Sequence, residues 1–87
     1  PGSPNEDLAW TLALDQFQMG EAHVQLASIA KRSVEARRED WRQALGFFQK
    51  SMPGISAATS GGFRDIALST LQEARREVEQ CERELAR

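Results

Sequence analysis

One histidine, one cysteine and thirteen carboxylates are the first candidates for acid/base, thiol or metal chemistry in this 87-residue chain. A general base needs a nucleophile within hydrogen-bond reach. His23 sits beside Glu21 and Gln25, and no serine or cysteine stands at a spacing that would pair with it. It reads as a partly exposed histidine at an interface. Zinc requires several nitrogen or sulfur ligands at short, fixed spacing, and His23 and Cys81 lie far apart in sequence. Cys81 has no second cysteine for a disulfide, and inside a helix it reads as a small packed residue. A lone cysteine makes a reducing, cytoplasmic setting the default.

The carboxylates are spread over helix surfaces. Glu73, Glu77, Glu79, Glu82 and Glu84 alternate with Arg75, Arg76, Arg83 and Arg87. Pairs such as Glu79–Arg83 contribute a few tenths of a kcal/mol each, so this is a solvated face rather than an acid/base pair. Ser60-Gly61-Gly62 lacks the lysine and preceding strand of a phosphate loop. No catalytic residue, cofactor or metal is expected, and the chain reads as a non-enzyme. The one local charge imbalance is Lys31, Arg32, Arg37, Arg38 and Arg42. Helix capping and solubility account for much of it. Arg37 and Arg38 are also placed to steer an acidic partner. Glu35, Glu39 and Asp40 interrupt the cluster and no aromatic platform accompanies it, so nucleic acid is not expected.

These residues must be positioned by helices. The length allows one domain at most, in a range where a single core is marginal. Eleven basic against thirteen acidic residues give no electrostatic reason to expect an anionic membrane. No apolar run reaches membrane-span length, and the polar opening residues carry no signal-peptide pattern. Pro1-Gly2-Ser3 reads as a cleavage or cloning remnant. Residues 1–4 are set apart as disordered, and 5–87 as a single helical interaction domain.

The first helix is expected to start after Pro4, with Asn5 as N-cap and Glu6 and Asp7 near the positive end of the dipole, and to run to about Arg32. Gly20 in its middle costs about 1 kcal/mol relative to alanine, so it marks a weak point or a close neighbouring backbone. Ser33 to Arg38 forms a turn or a frayed extension. The second helix is expected over about Glu39 to Met52, with Trp41, Leu45, Phe48 and Met52 on one face and Ala44 alongside. Pro53-Gly54 ends it, and Ile55 to Gly62 reads as a mobile loop. The third helix, from Phe63 or Arg64 onward, carries Ala67, Leu71, Ala74, Val78, Cys81 and Leu85 as a heptad seam. Strand signals are absent. The expected architecture is an all-α, three-helix antiparallel bundle with a long first helix.

That first helix has two apolar sides. At about 100° per residue, Leu8, Leu12, Met19, Ala22, Leu26 and Ala30 gather on one side, and Trp10, Ala13, Leu14, Phe17 and Val24 on roughly the other. A helix on the outside of a self-sufficient bundle needs one stripe. The first stripe is expected to join Trp41, Leu45, Phe48 and the third-helix seam. The second, with its tryptophan and phenylalanine, is expected to meet a partner.

Met19-Gly20-Glu21-Ala22-His23, followed by Trp41-Arg42-Gln43-Ala44-Leu45-Gly46-Phe47-Phe48-Gln49-Lys50-Ser51, resembles a degenerate tetratricopeptide repeat over about residues 8–53. Met19-Gly20 and His23 occupy the places of that family's Leu-Gly pair and following aromatic, and Ala44 and Phe48 those of its second-helix alanine and aromatic. The third helix is similar to the family's capping helix. Gln16 and His23 depart from the family's tryptophan and tyrosine, and the separation from Gly20 to Ala44 is about twice the family's. The resemblance implies a solenoid fragment whose first-helix face, with Trp10, Phe17 and Glu21 on or near it, recognises a peptide or a neighbouring repeat. Asp40-Trp41-Arg42-Gln43-Ala44-Leu45 is similar, too, to the second helix of three-helix MIT-type domains, which would imply a short amphipathic helix in the groove between helices one and three. The reading is a non-catalytic protein–protein interaction module. Trp10, Leu14, Phe17, Glu21, Val24, Arg37 and Arg38 would contact the protein or peptide partner, and homodimerisation stands as the alternative.

Overall fold

The computed structural model describes residues Pro4–Arg87. It consists of α1 (Pro4–Ala27), α2 (Val34–Ala58) and α3 (Arg64–Ala86), with no strand among the described residues. The fold is an all-α three-helix bundle, as expected. The expected remnant, residues 1–4, lies outside the described residues except for Pro4, which opens α1. A proline suits that first position, where its missing N–H has no helical acceptor. Asn5 therefore belongs to the first turn and is not the cap.

One packing rule runs through all three helices. At alternating spacings of three and four, α1 turns inward Trp10, Ala13, Phe17, Gly20, Val24 and Ala27. The corresponding set on α2 is Trp41, Ala44, Phe48, Ser51 and Ile55, and on α3 it is the predicted seam from Ala67 to Leu85. Large and small side chains alternate along each seam, so a bulky residue finds a hole on its neighbour. Phe17 meets Phe48 edge-on, with ring centroids 5.4 Å apart, and Trp10 stacks on Phe63 at 5.7 Å. Rising along α1, Ala13 lies against Gly54, Gly20 against Phe48 and His23 against Asp40, so the partners' numbers fall along α2. Both flanking helices pack chiefly on α2 and meet each other at few points.

Three boundaries differ from expectation. Helix α1 stops at Ala27 instead of Arg32, and its terminal carbonyl accepts a hydrogen bond from Arg37 Nε at 2.9 Å. Helix α2 starts earlier, because Ser33 caps it: its Oγ accepts from the Ala36 backbone N–H at 3.1 Å. It also continues through Pro53 and Gly54 to Ala58. Proline removes one ladder hydrogen bond, but Pro53 is on the exposed side. The continued helix buries Ile55 completely and lets Gly54 approach Ala13. The first half of the expected loop is therefore helix, and the connection shrinks to residues 59–63, held by turn hydrogen bonds such as Gly61 N–H to the Ala58 carbonyl.

Candidate interaction face

Helix α1 does have two apolar sides, and their roles are the reverse of those expected. Trp10 and Phe17 are only 6% and 8% exposed, and Leu14 and Val24 pack against the same core. Leu8, Leu12, Met19 and Leu26 are 69%, 59%, 50% and 41% exposed. Two physical reasons decide which side goes in. Aromatic side chains bury more area than leucine or methionine, and here they alternate with Ala13 and Gly20, which make room for the residues of α2. The other side carries Asp15 at the step between Leu12 and Met19, and turning that stripe inward would bury an unpaired carboxylate.

The outer stripe has its own regularity. Leu12, Met19 and Leu26 recur every seven residues, and Leu8, Asp15 and Ala22 occupy the intermediate steps, all of them exposed. This is the 3-4 spacing with which one helix meets another. Its flanks, Thr11, Gln18 and Gln25 on one side and Ala9, Gln16 and His23 on the other, are uncharged in the neutral form of His23. The charge on Asp15, read as a marker of the outside, was the sequence signal that could have separated the two stripes.

The remaining expected contact residues serve the bundle. Arg37 caps α1 as described, and Arg38 donates to the Leu85 carbonyl at 3.0 Å and to that of Arg87 at 3.3 Å, closing the end of α3. Both guanidinium groups thus hydrogen-bond backbone carbonyls at helix ends while remaining half-exposed. Glu21 is half-buried and faces α3. Burial, then hydrogen bonding to Glu77 and the charges of Glu77 and Glu73, push its carboxyl up to about 8. One of its oxygens, Oε1, is buried without a hydrogen-bond partner.

Sequence reasoning missed a polar clamp. Asp40 is 6% exposed and accepts from His23 Nδ1 at 2.8 Å and from the Arg32 guanidinium. The hydrogen bond from His23, with the Arg32 contacts, holds the Asp40 carboxyl below its usual range, against the effect of burial. Asp40 is therefore ionised and acceptor-only, which puts the proton on His23 Nδ1. The His23 ring stacks on Phe47 at 5.6 Å. The group ties the end of α1, the following connection and the start of α2 together. No spacing in the sequence signals it, since the contact depends on how α1 and α2 align.

Cys81 is fully buried, and burial followed by the nearby Glu77 charge pushes its thiol up to about 11, so it stays protonated at neutral pH. One cavity of about 160 Å³ lies beneath the 59–63 connection, lined by residues including Trp10, Gly54 and Phe63. Another of about 230 Å³ is bounded by Val34, Arg37, Arg38, Trp41, Glu84 and Arg87. Both are smaller than the roughly 300 Å³ at which small-molecule sites begin. No group of three or more potential ligand side chains among the described residues could hold a metal ion, and no described helix is long and apolar enough to cross a membrane. No protein-family model, curated protein or solved structure matches this chain.

Proposed function

We propose that the chain is a non-catalytic helical interaction module that docks a helix along the outer face of α1. The observation that carries this reading is the exposed stripe from Leu8 to Leu26, whose 3-4 spacing suits a second helix. The stripe extends about 27 Å along α1 at 1.5 Å per residue, on a bundle whose longest extent is 45 Å. Exposed apolar side chains grouped along one helix face, here interrupted only by Asp15, are the kind of surface that interaction sites use. The contact of Gly20 with Phe48 and the burial of Ala44 support keeping the tetratricopeptide-like reading, with the docking face moved from the Trp10 side to the Leu12 side. The groove used in the MIT-type reading is less favoured, because the Trp10–Phe63 stack and the Glu21–Glu77 contact bridge it.

The test is selection of randomised amphipathic helical peptides on the wild-type chain, followed by measurement on the double variant Leu12→Lys, Leu26→Lys. Helices that bind the wild type and lose at least about tenfold in affinity on a variant of unchanged melting temperature support the reading. No selected helices, or helices indifferent to the variant, overturn it.

A further inference from the structure

We infer that the helix accepted by the outer face of α1 is an amphipathic helix of another sequence, one that presents a lysine or arginine to Asp15. This rests on the docking reading above and adds the chemistry of the occupant. From Pro4 to Ala27 the helix contains no lysine or arginine. Its outer surface carries the Asp15 carboxylate at the centre of the stripe and that of Asp7 near its start, both exposed. A docked helix with leucine opposite Asp15 would strip water from that carboxylate without pairing it, which costs free energy. A cation there completes a charge-assisted hydrogen bond inside an otherwise apolar seam. Lysine suits the position because its four-carbon stem lies along apolar neighbours while the ammonium reaches out.

The same charge argues against a second copy of α1 as the occupant. In a parallel pairing Asp15 faces its own counterpart. In an antiparallel pairing centred on residue 17, the middle of the Leu8–Leu26 stripe, the two carboxylates sit within about 6 Å of each other along the axis. Neither arrangement places a cation of α1 beside them, and like charges at such positions discriminate against the pairing.

Three synthetic 21-residue helices test this. They share leucines at 3-4 spacing and glutamines on the flanks, and differ only in carrying Lys, Leu or Glu at the central seam position. Fluorescence anisotropy with the whole chain is expected to show the Lys peptide binding at least about tenfold more tightly than the Glu peptide. The preference is expected to invert on the Asp15→Lys variant, a readout that loss of fold would not produce. Equal binding of the three peptides overturns the inferred charge while leaving the docking face in place. A wild-type dimer in sedimentation that the Lys peptide cannot dissociate overturns it in favour of a second copy. Failure of all three to bind overturns the proposal too; the docking reading falls with it only if the helix selection is also empty.

Discussion

At Gly20 the α1 backbone runs so close to α2 that a Cβ built there would lie 2.7 Å from the Phe48 ring. In an exposed helix interior, glycine to alanine stabilises by up to about 1 kcal/mol. Here Phe48 is fully buried and has nowhere to move, so Gly20→Ala is expected to destabilise by about 1–2 kcal/mol through overpacking. Gly46, with nothing within 4 Å of its added Cβ, is the control. Gly46→Ala is expected to stabilise, and thermal denaturation of the pair reads the opposite signs. Two carboxylates at this scale set opposite pH dependences. Glu21 is pushed up from its ordinary 4.5 to about 8, so the folded state retains a proton that the unfolded chain releases. That contribution is complete below about pH 4.5 and is lost as pH rises through about 8. Asp40, held below its ordinary 3.8, contributes above that value and its share is lost on further acidification. Melting temperature is therefore expected to decline from about pH 5 to pH 9, and Glu21→Gln, which mimics the protonated carboxyl facing Glu77 and Glu73, is expected to flatten the decline. A variant that tracks the wild type across this range would remove Glu21 as its source.

At the scale of the elements, periodicity revealed that α1 has two apolar sides but not which one faces inward. Spacing alone is symmetric between the two stripes. The asymmetry lies in side-chain size and charge: Trp10 and Phe17 alternating with Ala13 and Gly20 on one side, Asp15 interrupting the other. The α3 seam was fully legible, since every step of it is apolar and, Leu68 apart, the residues between are polar. The extent of α2 was not, because Pro53-Gly54 carries a local stop signal that the burial of Ile55 outweighs. Nor could sequence spacing bring His23, Arg32 and Asp40 together, since their contact depends on how α1 and α2 align. The two stripes separate cleanly by mutation. Trp10→Ala and Phe17→Ala are each expected to cost about 3–5 kcal/mol of folding stability, as buried aromatics do. Leu12→Lys and Leu26→Lys are expected to stay within about 0.5 kcal/mol of the wild type. Urea denaturation distinguishes the sets, and equal costs on both sides would mean that α1 is not oriented as described.

For the whole molecule, an elongated bundle of 45 × 18 × 15 Å spends its aromatic residues, its buried acid and three of its arginines on holding itself together. Large apolar side chains are also exposed at Ile29, Val34, Ile66 and Leu68, but those of α1 line up as a stripe at helix-pairing spacing, which is why interaction is the function we propose. Under the proposed tetratricopeptide-like reading, with its docking face moved to the Leu12 side, that stripe would have a second meaning, as the face on which a neighbouring helix of an array would stack. Both meanings require a helix on the same residues. The most direct measurement is an amide NMR titration of the wild-type chain with the Lys-bearing helical peptide. The predicted result is shifts concentrated at Leu8, Leu12, Asp15, Met19 and Leu26, with Trp41, Phe48 and the α3 seam unchanged. Shifts centred on the α1–α3 groove around Glu21 and Glu77, or on the Arg37–Arg38 end, or none at saturating peptide, would contradict it.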